Sequence, residues 1–350
     1  MQTYIIAEMA WGYTGEYNTA IEILKATKES GANAIGIHIT DMETYMTKDY
    51  LCTAGQTLSD RDEPKDSENV YDYLNKINMS KEEWLKFDEE ASKLGVDIVA
   101  MCNDYESFIF SKQMNVSQYV IAASLFHENN LLKQIVKYKN DIIIRIGGAS
   151  LQEIDDIVSF ILNINENAKI NLLAGIQLYP TPINQLHIKS IKTLIDRYKD
   201  KNVTLGIADH IEGDHKYAKY LPAIALAYNI ATIEKHITTD RSLKLEDYEA
   251  ALSGDQFKEF VDYIRIAEVA LGDDNLNYLI NPENEKYRLV LRKRVLAGQE
   301  IKEGTTISED MLVFMRCDKG VELEYMSEIV GKKAARNIEK HTGIERTDVN

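Results

Sequence analysis

Cysteine is scarce in this 350-residue sequence. Cys52, Cys102 and Cys317 are odd in number, far apart and without C-x-x-C spacing. Neither a disulfide framework nor a thiolate zinc site is indicated, and a reducing cytoplasm is the expected compartment. Long apolar runs are missing as well. None approaches the roughly 20 residues that span a bilayer, and the start, MQTYIIAEMAWGY, lacks the basic segment and long apolar core of a secretion signal. Positive charge is in deficit: 40 Lys and Arg against 56 Asp and Glu leave a formal net charge of −16. Such a surface repels phosphate backbones and anionic headgroups, so no nucleic acid and no membrane is expected as a partner. An anionic small substrate then needs a local basic pocket. No strand-like run is followed by a G-x-G-x-x-G turn, which argues against an open dinucleotide-binding sheet.

What is present is a regular alternation. Residues 4–9, 34–39, 97–102, 118–124, 141–148, 170–178, 203–210 and 231–237 read as short apolar strands. Helical patterns lie between them, including 17–30, 151–162 and 185–198, and a last helix is expected over 256–271. Ser80 followed by Glu83 forms a capping box that predicts a helix start. Continuous apolar strands separated by helices imply a parallel sheet covered by helices, and eight such units are what a closed barrel needs. The expected fold is α/β, a (β/α)8 TIM barrel over residues 1–274. The polar excursion 40–79 is expected over the barrel mouth. Its Tyr45, Tyr50, Tyr71 and Tyr73 suit either stacking on a ligand or packing. After a linker at 275–284, marked by Asn and Pro breakers, residues 285–350 read as a small β-rich domain.

Reactive residues in barrels stand at the carboxyl ends of strands. Strand seven ends in Ala208-Asp209-His210 and strand eight runs through Glu234-Lys235-His236. Side chains alternate along a strand, so His210 and His236 are placed to converge over one divalent metal, a role that imidazole suits. Glu8 on strand one neighbours strand eight in a closed barrel, and Asp247 follows strand eight closely enough to complete the shell. His38 ends strand two and enters the same pocket. Tyr179, in Tyr179-Pro180-Thr181-Pro182 after strand six, either lines the site or belongs to a rigid turn.

The order IIAE, GANAI, YPTP, ADH and IEKHITTDR resembles the sialic acid synthase family over nearly the whole chain. IKEGTTISEDML and Met315-Arg316-Cys317-Asp318-Lys319-Gly320 resemble that family's antifreeze-protein-like (SAF) domain. The resemblance implies condensation of phosphoenolpyruvate with a sugar aldehyde to a nonulosonic-type acid, with Mn2+ or Mg2+ on His210 and His236. It implies catalytic roles for Glu8, Asp247 and Tyr179, and a domain-swapped homodimer in which Arg316 reaches the partner's barrel. Departures from the family pattern are as informative. Its two anion-binding lysines fall on Gly36 and Val120, and its hydroxyls on Ala123, Arg145 and Met101, while a glutamine falls on His38. Arg145, His38, Gln177 and Arg316 are therefore the expected substrate-binding residues, with Arg145 able to hold phosphate through two N–H groups. Two other readings are a metal-dependent aldolase, lyase or isomerase that works on a sugar derivative without phosphoenolpyruvate, and a degenerate binding barrel.

Overall fold

In the computed structural model of the chain, residues 2–50 and 70–350 are described, and Cys52 and positions 51–69 of the expected mouth insert lie outside them. Two compact units result, Met1–Gly272 and Asp273–Asn350.

The first unit is a closed barrel. Its parallel strands are β1 (Tyr4–Ala10), β2 (Ala34–Ile39), β3 (Asp97–Cys102), β4 (Val116–Ala122), β5 (Asp141–Arg145), β6 (Lys169–Ala174), β7 (Val203–Asp209) and β8 (Thr232–Thr238). Each pairs with the next, and β8 pairs back onto β1. A two-residue strand, β9 (Leu252–Ser253), extends from β8. The helices around it are α1 (Tyr17–Ser30), α2 (Met42–Tyr45), α3 (Val70–Lys76), α4 (Lys81–Leu94), α5 (Tyr105–Ser111), α6 (Asn129–Tyr138), α7 (Leu151–Ile164), α8 (Ser190–Tyr198) and α9 (Gly254–Leu271). The predicted capping box is formed at the start of α4, where Ser80 accepts from the Glu83 amide and Glu83 accepts from that of Ser80.

Strand alternation divides the core. Outward residues such as Ile207, Ile233 and Ile237 pack under the helices. Inward residues Ile6, Ala34, Val99, Met101, Val120, Ile143, Leu173 and Ala208 fill the barrel itself. The interior is thus packed below the mouth, and only the strand ends are left for chemistry.

Two strands end sooner than their apolar runs predict. β6 stops at Ala174 instead of continuing to 178. A side chain at Gly175 would run into the Ala208 carbonyl. Beyond it the Ile176 and Leu178 carbonyls both meet the Thr181 hydroxyl, so they leave the ladder. β5 stops at Arg145, ahead of a turn at Gly148 in the left-handed region. The helix expected over 185–198 begins only at Ser190, because His187 takes a left-handed conformation that breaks it.

In the second unit, residues expected as linker and β-structure are helical instead: a 3-10 turn at Leu276–Ile280 and α10 (Pro282–Leu291). Asn281 caps α10 through the Asn284 amide and Pro282 sits in its first turn, so these residues start a helix where the sequence suggested breakers. The β-rich part begins with β10 (Lys293–Ala297), which pairs antiparallel with β11 (Leu312–Arg316). Val295, Ile301, Ile307, Ile338 and Ile344 form its small core.

Candidate active site

The two predicted histidines meet. Their ring centroids are 5.4 Å apart, and the Tyr179 ring lies 4.3 Å from His210 and 5.5 Å from His236. Register explains the convergence. Ala208 pairs with Glu234 and Asp209 with Lys235, so the residue after each pair comes level at the strand end. His210 Nδ1 lies 2.8 Å from the Ile176 carbonyl, an acceptor only, so Nδ1 carries the proton and donates it. Nε2 therefore keeps its lone pair. Burial, and then the neighbouring His236, hold His210 well below its ordinary value, so the ring is neutral. These are the properties of an imidazole ready to ligate a cation. Among the described residues no cluster of three or more His, Cys, Asp or Glu that could hold a metal ion is present.

Glu8, on β1, has both carboxylate oxygens engaged by other groups. β1 bulges between Glu8 and Ala10, and Glu8 Oε1 accepts the Ala10 amide at 2.8 Å. Oε2 is bound by Arg145 Nη2. Arg145 comes from the far side of the barrel and also donates Nη2 to Glu234 Oε2 at 2.9 Å and Nε to the same oxygen at 3.2 Å. Glu8, Arg145 and Glu234 are all buried. Burial disfavours the charged guanidinium, but Glu234 and Glu8 outweigh it and keep Arg145 protonated. Gly36 makes room for this arrangement, since a Cβ there would overlap the Glu8 carboxylate. His38 faces both partners, 3.4 Å from Arg145 Nη1 and 3.6 Å from Glu8 Oε1. Burial, aided by Arg145, pushes His38 down to about 3, so it is neutral.

Other predicted residues are distributed as follows. The Tyr179 hydroxyl donates to Gln177 Oε1 at 2.7 Å, joining two of them. Asp247, at the loop after β8, lies near enough to act electrostatically on Glu8, His38 and Tyr179. Ala123 begins a 3-10 turn after β4. Arg316 ends β11 in the second unit, exposed and paired across the ladder with Lys293. Among the tyrosines of the mouth segment, Tyr73 donates to Glu246 and Tyr71 is buried, whereas Tyr45 and Tyr50 are exposed. Glu234 shares a strand face with His236, and its role as the second anchor of Arg145 comes from closure of the barrel, which brings β5 and β8 to one interior.

Glu234 Oε1 has no hydrogen-bond partner among the described residues. Burial pushes this carboxyl up to about 7, against the pull of Arg145. A free glutamate titrates near 4.5. The folded state holds the proton more tightly, so the contribution to stability is fully present below that value and is lost as pH rises through about 7. The metal-free Glu234→Gln protein should therefore gain stability over the parent between about pH 5 and pH 7.5, by on the order of 1 kcal/mol or more. Denaturant titrations at both pH values measure it, and a difference that does not change with pH would count against the shift.

The NeuB family pattern matches residues 23–275 and the SAF domain pattern residues 293–350. A pseudaminic acid synthase from Campylobacter jejuni is 28% identical over 99% of this chain and 96% of its own length. An N,N'-diacetyllegionaminic acid synthase from Legionella pneumophila is 25% identical over 98% of this chain and 93% of its own length. Among solved structures, a spore coat polysaccharide biosynthesis protein E from Chromobacterium violaceum superposes with a TM-score of 0.78 over 99% of both chains, at 19% identity. That likeness concerns the fold.

Proposed function

We propose, since this chain belongs to the NeuB family, that it is a carbon–carbon bond-forming transferase acting on a sugar-derived aldehyde and yielding a nonulosonic-type acid. The observation that carries the reading is the neutral His210–His236 pair, with His210 oriented by the Ile176 carbonyl. His210 and His236 would hold a divalent cation such as Mn2+ or Mg2+, which would supply polarisation of a carbonyl oxygen at this end of the barrel. Tyr179 packs on both rings and, held by Gln177, orients the substrate beside them. Asp247 acts as a catalytic carboxylate by accepting substrate hydroxyls, and Glu8, with both oxygens engaged, positions Arg145. The relatives named as pseudaminic and legionaminic acid synthases support this substrate class.

The co-substrate that family membership suggests is phosphoenolpyruvate. One observation favours the second reading, a metal-dependent aldolase, lyase or isomerase that works on a sugar derivative without it: inward positions Gly36, Met101 and Val120 carry no charge, and Arg145 is already shared by two carboxylates. The test is incubation with Mn2+, N-acetylmannosamine and related sugars, with and without phosphoenolpyruvate, read by phosphate release and by product mass. Product formation above a His236→Ala control supports the enzyme. No product across the panel would leave the binding-barrel reading in its place.

A domain-swapped homodimer is part of the proposal, with Arg316 supplied to the partner's barrel. Leu276, Tyr278, Leu279, Ile280, Leu289 and Val290 are all exposed in the single chain, a concentration of apolar surface that monomers rarely leave in water. Light scattering should give twice the chain mass, and Ile280→Asp with Leu289→Asp should shift it to the monomer. A parent protein that is already monomeric at micromolar concentration would refute the dimer.

A further inference from the structure

We propose that Arg241 is a positioning residue for this active site: with Gly213 and Asp214 it fixes the loop between β8 and β9 so that Asp247 stands at the barrel mouth, which rests on the reading of Asp247 as the carboxylate that accepts substrate hydroxyls.

The loop needs a hold from outside. Lys244 and Asp247 both take left-handed backbone conformations, with φ of 49° and 61°. Residues with a Cβ seldom adopt that region unless their surroundings enforce it. The turn bonds inside the loop sit at the long end of the hydrogen-bond range: Tyr248 to the Leu245 carbonyl and Ala250 to the Asp247 carbonyl at 3.2 Å, and Ala251 to the Tyr248 carbonyl at 3.3 Å. Arg241 supplies stronger ones. Its Nη1 donates to the Ala251 carbonyl at 2.6 Å, to the Tyr248 carbonyl, and more distantly to the Glu249 carbonyl at 3.3 Å. Nε and Nη2 engage the Asp214 carboxylate at 2.9 and 2.8 Å. The planar guanidinium thus grips a carboxylate along one edge and offers its remaining N–H groups in a fixed direction. The negative ends of the loop's carbonyl dipoles converge on that point, where a cation is favoured.

Gly213 lets the two loops approach. A Cβ there would stand 2.0 Å from both the Ala251 carbonyl oxygen and Arg241 Nη1. Its amide adds a bond to the Glu249 carbonyl at 2.7 Å. Gly213 and Asp214 follow His210 on the loop after β7. One guanidinium therefore ties the segment leaving the first imidazole to the segment carrying Asp247. On the other flank Tyr73 donates to Glu246, the residue before Asp247. Downstream, β9 pairs with Ile237 and Thr238 of β8 and anchors the loop's end. Asp247 is thereby kept near Glu8, His38 and Tyr179, on each of which it acts electrostatically.

Hydrogen exchange of the full-length protein, and calorimetric titration of N-acetylmannosamine into its Mn2+-loaded form, test the assignment. Arg241→Gln should speed amide exchange across 244–251 by at least about tenfold, with the barrel strands exchanging as in the parent. It should weaken the sugar by at least about tenfold, while Mn2+ affinity stays within a few-fold because both histidines are untouched. Arg241→Lys restores the charge but not the fork, and should recover part of both effects. Asp247→Asn sets the benchmark. Adding Arg241→Gln to it should weaken the sugar little further, since both changes act through one carboxylate. Loop exchange at the parental rate in Arg241→Gln overturns the proposal. So does a sugar affinity that Asp247→Asn lowers and Arg241→Gln leaves alone, and so do additive losses in the double variant. Sugar binding that is absent from the parent, or unchanged by Asp247→Asn, sinks the reading of Asp247 and the proposal with it, even where exchange has quickened. If Arg241→Gln does not fold, Asp214→Asn takes its place, at a side chain that is 72% exposed. Exchange about threefold faster is then expected, and the parental rate overturns the proposal.

Discussion

Replacing Lys235 by methionine is expected to lower the stability of the barrel by about 3–5 kcal/mol. Lys235 and Asp209 face the helix layer, are both buried, and are paired to each other. Methionine matches the aliphatic stem of lysine but leaves Asp209 charged or forces it to take up a proton, and either is costly in that environment. The double variant Asp209→Leu with Lys235→Met removes both charges and should recover most of the loss, because an apolar pair of similar volume is often no worse than a buried ion pair. Urea unfolding of the parent, the single variant and the double variant makes the comparison. A loss under about 1 kcal/mol for Lys235→Met would mean that the pair contributes little. The two residues immediately precede His236 and His210, and they are register partners on adjacent strands. Divalent-cation affinity should accordingly fall in the single variant and return in the double one.

His210→Ala and His236→Ala should each abolish measurable Mn2+ binding and reduce turnover by at least about 10²-fold. Two imidazoles are all that the described residues contribute at this end, so losing either leaves one ligand. His38→Ala is the informative contrast. It borders Arg145 and not the two rings' shared face, so Mn2+ affinity should remain within a few-fold of the parent while co-substrate binding changes. Calorimetric titration of Mn2+ into the three variants discriminates them. Tight Mn2+ binding by both His210→Ala and His236→Ala would end the assignment of a cation there.

Much of this was legible in the residues. Strand bounds at 34–39 and 97–102 and the helix over Tyr17–Ser30 coincide with the structure, because apolar runs there stop against strong turn or helix signals. Alternation correctly put His210 and His236 at one mouth. What could not be read was how charges pair across the barrel. Arg145 was legible as a cation at a strand end, free to receive phosphate, yet its partners Glu8 and Glu234 stand on β1 and β8, far away in sequence. Gly36 read as a missing lysine, while its structural role is to admit a carboxylate. The apolar runs carry on through 146–148 and 175–178, past the strand ends, and composition does not reveal the left-handed turn at Gly148 or the Ile176 and Leu178 carbonyls captured by Thr181 and His210.

Positions 8, 36 and 145 cannot vary independently, because Glu8 is clamped. Its two oxygens are held by a backbone amide and by Arg145, so it cannot swing aside to accommodate a neighbour. A side chain at position 36 is closed while Glu8 stays so held, since its Cβ would overlap the carboxylate. Releasing Arg145 to make that room would leave the carboxylate stranded in the barrel without its cation, so a change at 36 calls for a change at 8 as well.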